Sequence, residues 1–141
     1  MIKTTVLIDA GPLAALTHAR DQYHQWTRRE ADNLNPPFLT CEAVWSETWF
    51  LLRRHPLAQA KLLRLLEEGL IQIRFNASGE TARLTELLRR YANVPMSVAD
   101  ACLVRMSEMH DDGVVFTTDS DFNIYRRNGN RFIPVVLPPH P

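Results

Sequence analysis

Thr4-Thr5-Val6-Leu7-Ile8-Asp9-Ala10-Gly11-Pro12-Leu13 is the stretch that decides the fold. Thr4 to Ile8 is β-branched or apolar without interruption, the pattern of a strand buried on both faces of a parallel sheet. Gly11 and Pro12 break that run, and Pro12 suits the first turn of a helix continuing through Leu13, Ala14 and Leu16. A carboxylate, Asp9, therefore stands where a buried strand passes into a helix. In an open α/β sheet that edge, beyond the carboxyl ends of the strands, is where ligands gather.

The same alternation runs outward along the chain. Asp21 reads as the cap of a helix carrying Tyr23 and Trp26, and Phe38-Leu39 as a short strand after Pro36-Pro37. A strongly apolar helix is expected from Cys41 to about Arg54. Pro56 opens another, with Leu62, Leu63, Leu65 and Leu66, which Gly69 closes. Ile71 to Phe75 alternates as a strand should. Ser78 to Tyr91 and about Ser97 to His110 follow as helices, and Gly113 releases a strand over Val114 to Thr117. A short helical stretch from Asp121 to Arg127 leads to a last strand, Ile133 to Leu137. No repeat or linker divides the chain. The expectation is one α/β domain over residues 1–137, a central, mainly parallel sheet flanked by helices, with a Pro-rich tail at 138–141.

Composition narrows the function classes. With 141 residues, 45% hydrophobic and 23% charged, the chain can bury a core without a disulfide or a structural metal. Cys41 and Cys102 lie among apolar neighbours and read as buried free thiols in a reducing compartment. No apolar run approaches the ~20 residues of a transmembrane helix, and no signal-peptide pattern follows the first strand. A cytoplasmic protein with no membrane partner is expected. A formal net charge of zero at first argues against nucleic acid. Setting aside Asp9, Glu47, Asp100, Asp119 and Asp121 leaves 16 basic residues against 11 acidic, and 14 of the 16 are arginine. Arginine suits bidentate contact with phosphate.

Each of those acids has an ordinary explanation on its own. Asp9 could cap the helix behind it. Glu47 lies in a helix that is apolar nearly all round, between Trp45 and Trp49, and such a helix is expected to be largely buried; a lone buried carboxylate is costly unless paired, protonated or metal-bound. Asp100 follows Ser97 by three residues, the spacing of a capping box, although such boxes prefer Glu or Gln there. A capped turn accounts for Asp119 or Asp121, but not readily for both at the end of a buried strand. Together, the acids converge on one edge of the sheet. Gathered carboxylates repel and raise one another's pKa values. A divalent cation resolves the conflict, and hard oxygen ligands suit Mg²⁺ or Mn²⁺.

Val6 to Leu13, Trp45-Ser46-Glu47-Thr48, Ser97-Val98-Ala99-Asp100-Ala101 and Thr117-Thr118-Asp119-Ser120-Asp121-Phe122, in this order and spacing, resemble a PIN domain. Within that family they resemble the VapC-type toxins of toxin–antitoxin pairs, over nearly the whole chain. The resemblance implies a metal-dependent ribonuclease using Mg²⁺ or Mn²⁺. Asp9, Glu47, Asp100 and Asp119 match the family's acidic quartet, with Asp9, Asp100 and Asp119 the candidate metal ligands. Thr117 matches a hydroxyl that supports the last acid, and Asp121 a less constant second acid. It also implies an RNA substrate, a protein antitoxin and a homodimer, for which Leu62 to Leu66 offers a candidate face. One departure is Ala10-Gly11, where many relatives carry a small hydroxyl or amide side chain after the first Asp.

Two alternatives remain open at this point: a Mg²⁺-dependent phosphohydrolase of another class, and a non-catalytic PIN-like interaction module. An aspartyl-nucleophile phosphatase would want paired acids after the first strand, where this chain has Ala10-Gly11. The five histidines show no paired ligand spacing and read as isolated surface residues. Trp26, Trp45 and Trp49 could stack on bases, but their helical spacing beside other apolar residues favours core packing.

Overall fold

A computed structural model of the chain describes residues 4–139. The first strand, β1 (Thr5–Ile8), is buried from Val6 onward, as its unbroken apolar run requires. It passes through Asp9 into α1 (Ala10–Thr17) and then α2 (His24–Asn33). Asp21 accepts from the Tyr23 backbone N–H at 2.8 Å and so closes the turn ahead of α2. It does not cap the helix itself, whose first residue follows Tyr23. Next come β2 (Phe38–Thr40), α3 (Glu42–Leu51), α4 (Pro56–Glu67) and β3 (Ile71–Ile73). Beyond α4, Gly69 takes the left-handed conformation, φ 77°, that reverses the chain toward β3.

A 3₁₀ turn at Ala77–Glu80 precedes α5 (Thr81–Arg90), followed by α6 (Val98–Met109) and β4 (Gly113–Phe116). A second 3₁₀ turn, Ser120–Asn123, covers only the first half of the helical stretch expected to reach Arg127. Arg126–Arg127 instead forms β5, paired antiparallel with β6 (Arg131–Phe132) across Asn128 and Gly129, both at positive φ. The expected final strand shrinks to β7 (Val135–Val136).

The main sheet has the order β3-β2-β1-β4-β7, and every pairing in it is parallel. The β5–β6 ribbon is the antiparallel exception. From β1 the chain steps outward through β2 to β3, then crosses back to β4 on the other side of β1. Right-handed crossovers therefore put α1 to α4 on one face and α5 and α6 on the other. The reversal of strand order falls between β1 and β4, and the crevice of such a sheet opens beyond the carboxyl ends of those two strands.

The core runs through Val6, Leu7 and Ile8 of β1, Val115 and Phe116 of β4, Leu13, Leu62, Leu87, Leu103, Phe122 and Tyr125. Phe116 meets both Trp26 and Phe38 edge to face. Cys41 and Cys102 are free and buried, as expected. Glu108 is almost wholly enclosed and accepts from Arg83, Arg105 and the Asn128 backbone, tying α5, α6 and the β5–β6 turn together.

Four expectations are corrected. Helix α3 is not buried all round: Val44 and Thr48 face inward, whereas Trp45, Trp49, Phe50 and Leu51 are exposed. Trp26 packs against the core, but Trp45 and Trp49 do not belong to it. Nor is Leu62 to Leu66 an open apolar face. Leu62 is core, Leu65 and Leu66 pack against it, and Leu63 alone of these leucines is exposed. Finally, His18 and His55 are not isolated: their rings stack at 4.0 Å between centroids. His140 lies outside the described residues. Among the described residues, no helix is long and apolar enough to cross a membrane.

Candidate active site

Asp9 leaves β1 exactly at the crevice, its backbone N–H bonded to the Phe116 carbonyl of β4 at 2.9 Å. Its side chain does cap α1, accepting from Ala10 N at 2.7 Å. The other carboxylate oxygen accepts from Thr117 Oγ at 2.7 Å. Thr117, fully buried just past β4, accepts in turn from the Asp119 backbone N–H at 3.0 Å. One hydroxyl thus fixes the first acid and the turn that carries the last. Asp119 accepts from the Asp121 N–H at 2.9 Å and starts the 3₁₀ turn.

Asp100 enters from α6. The capping box is real: Asp100 N donates to Ser97 Oγ at 3.0 Å and Ser97 N donates to Asp100 Oδ2 at 3.1 Å. The cap and the site are therefore the same residue. A third group, the Tyr125 hydroxyl, donates to Asp100 Oδ2 at 3.2 Å. Tyr125 is fully buried against Tyr91 and Phe122. Sequence reasoning missed it, since its only signal was an aromatic residue behind the Asp119–Phe122 motif.

Glu47 projects from the exposed side of α3. Even so, its carboxyl is held above the usual range, by lost solvent first and by the charges of Asp100 and Asp119 second. Asp100 is raised by burial and by Asp119, against the lowering effect of its bonds to Ser97 and Tyr125. Asp9, almost wholly enclosed, is pushed up to about 7 by burial, with Asp100 and Glu47 adding to it and the Thr117 and Ala10 bonds opposing it. Asp121 is raised by burial and by Asp119. The four predicted acids are thus electrostatically joined in one cleft, with Asp121 beside it.

The donor set is chemically suited to a divalent cation: hard carboxylate oxygens, mutually repelling, with no arginine or lysine among the groups perturbing them. Among the described residues, no group of three or more His, Cys, Asp or Glu side chains stands close enough together to hold a metal ion. The acids share the cleft, and a cation would have to draw them together.

At Gly11 the departure has a steric counterpart. A Cβ on Gly11 would run into Thr118 Oγ1, well inside van der Waals contact. Thr118 occupies the space a side chain at position 11 would need. The hydroxyl beside Gly11 belongs to Thr118, just past β4.

A family model described as PIN domain matches residues 6–128. Among solved structures, the chain is similar to VapC20 of Mycobacterium tuberculosis, a toxin that cleaves the sarcin–ricin loop. The TM-score is 0.75 at 24% identity, covering 85% of this chain and 94% of that one. At this identity the likeness speaks for the fold. No curated protein matches the chain.

Proposed function

Because this chain belongs to the PIN-domain family, we propose that it is a metal-dependent ribonuclease, the toxin of a toxin–antitoxin pair acting in the cytoplasm. The observation that carries this reading is the set of mutually perturbing acids at the β1–β4 crevice, one of them enclosed and held near neutrality. Keeping such a group charged inside a protein is costly without a counter-charge. Asp9, Asp100 and Asp119 would hold Mg²⁺ or Mn²⁺. The bound cation would supply Lewis acidity toward a phosphodiester and its attacking water.

The chain's own groups do the positioning. Thr117 aims Asp9 and anchors the Asp119 turn, while Ser97 and Tyr125 aim Asp100. Glu47, the most accessible of the quartet and held above the usual carboxyl range, would take the proton of the attacking water on its carboxylate. Asp121 supports Asp119 through its backbone N–H. RNA is the substrate in this reading. The resemblance to a toxin that cleaves the sarcin–ricin loop makes structured ribosomal RNA a substrate to include in assays.

A protein antitoxin would silence the cleft by covering the acids, presenting a cation such as arginine to them. The exposed apolar side of α3, where Trp45, Trp49 and Leu63 line a cavity of about 280 Å³, is the surface available to that partner or to a second copy in a homodimer.

The deciding experiment is cleavage of a mixed RNA pool, with tRNA and rRNA, by purified protein in Mg²⁺ or Mn²⁺. An EDTA control and Asp9→Asn run beside it. Metal-dependent cleavage lost in the variant is expected. Folded wild type that binds metal but cuts no RNA would point to a phosphohydrolase of another class. With no metal bound either, an interaction module would take its place.

A further inference from the structure

Two cavities that share His18 and His55 lie beside the β1–β4 crevice, and none of the four site acids lines either of them. The first, of about 330 Å³, is lined by Gly11 and Thr118, close chain neighbours of Asp9 and Asp119, by Asp21, and by the stacked pair His18 and His55. The second, of about 720 Å³, contains the same two histidines and runs on between the end of α1 and α4. Arg20, Arg54, Lys61 and Arg64 line it, and none of its lining residues is acidic. In a chain of zero net charge, four cations along one groove are a strong local segregation.

These cations are also uncommitted. Among the described residues, ion pairs engage Arg83 and Arg105, and none of the four groove cations takes part in one. Arg20, Arg54 and Arg64 are exposed. Lys61 spends one donor on the Leu16 carbonyl at 3.3 Å and has two more to offer. A row of cations that leads through His18 and His55 toward Gly11 and Thr118, beside the site acids, is arranged for a polyanion whose reacting phosphate sits at its end. Arginine forks match phosphate oxygens, and exposed ring faces accept unpaired bases.

We infer that the single-stranded RNA beside the scissile phosphate leaves the cleft over Gly11 and Thr118, passes a base against the His18–His55 stack, and lays its following phosphates along Arg20, Arg54, Lys61 and Arg64. This assigns a substrate track to the site and rests on the ribonuclease reading above. The histidines mark the junction where a base is read, and the α1–α4 groove holds backbone without regard to sequence.

The test separates binding from chemistry. Affinity of the full chain for a short labelled RNA, kept uncut by EDTA, is measured by anisotropy across a salt series. Arg54→Ala with Arg64→Ala is expected to weaken binding about 10-fold or more and to make the log–log salt slope shallower by roughly 1.4, two contacts at ~0.7 each for single strands. His55→Ala should lower affinity and leave the slope unchanged, because a stacked ring releases no counterion. Arg89→Ala with Arg131→Ala, exposed arginines on α5 and β6, should change neither. Equal losses in the groove and control variants would overturn the track, and so would no loss in the groove variant. So would groove substitutions that abolish capture of a protein antitoxin while RNA affinity holds. Metal-dependent cleavage by the same preparations reports separately, so the track can fail while the ribonuclease reading stands. RNA neither bound nor cut by wild type would remove both.

Discussion

Tyr125 shows how much a single hydroxyl can decide. Its ring is fully buried, so its position is set by packing, and its Oη reaches Asp100 Oδ2 at 3.2 Å. Tyr125→Phe keeps the packing and removes only that bond. The fold should lose no more than about 1.5 kcal/mol, while Mn²⁺ affinity and RNA cleavage should each fall about 10- to 100-fold, as when a ligand's supporting partner is deleted. Calorimetric titration of Mn²⁺ beside urea denaturation would separate the two effects. Metal affinity equal to wild type would reduce Tyr125 to a packing residue. This residue was not legible in the sequence, and the reason is physical. Asp9, Asp100 and Asp119 announce themselves through their places at strand and helix ends, whereas Tyr125 acts across 25 residues of chain by tertiary contact alone. Thr117 was legible only through the resemblance carried by Thr117-Thr118-Asp119, which pointed to the last acid and not to its bond with Asp9.

At the scale of elements, the start of α1 and the α5–α6 clamp carry opposite lessons. Alanine is ordinarily a better helix residue than glycine by about 1 kcal/mol, yet Gly11→Ala drives a methyl into Thr118 Oγ1. The net effect should be a loss of about 1–3 kcal/mol, returned on adding Thr118→Ala; a double-mutant cycle of unfolding free energies with no coupling would refute the steric account. Glu108 is the reverse case, a nearly enclosed carboxylate with Arg83, Arg105 and the Asn128 N–H around it. Glu108→Ala should cost about 3–5 kcal/mol by stranding those donors, read from chemical denaturation, and a loss below about 1 kcal/mol would mean the arginines simply turn to solvent. Periodicity found all six helices and the parallel order of alternation, because each depends on local patterning. It failed at β5–β6, where the ribbon is only two residues wide on each side. It failed too on α3, where an apolar run was equated with burial although the sheet offers a partner to only one side of that helix.

For the molecule as a whole, the site is a load on the fold, and its sign can be worked out. Asp9 titrates near 3.8 as a free carboxyl and about 7 in the folded chain. Between those values the folded chain holds a proton that the unfolded chain has released, so metal-free stability falls as pH rises through this window, by on the order of 4 kcal/mol from Asp9 alone. Glu47, Asp100 and Asp121 are shifted the same way. Glu108 opposes them: burial would raise it, but its bonds to Arg83, Asn128 and Arg105 hold it below the usual value of 4.5. Its contribution is present above that value and is lost as pH falls through the lower folded one. Metal-free protein should therefore be most stable in mild acid and weaken toward neutrality, an unusual direction for a globular domain. Mg²⁺ or Mn²⁺ binds the ionised acids and competes with protons, so added metal should restore stability at about pH 8 and do little at about pH 5. Asp9→Asn should make the decline shallower and blunt the rescue together, since that enclosed carboxylate contributes to both. Urea midpoints of the two proteins at both pH values, with and without metal, measure this directly. A wild type whose metal-free stability declines no more steeply than that of Asp9→Asn would mean that Asp9 is not held near neutrality by burial, and the argument that the cleft calls for a cation would lose its strongest support.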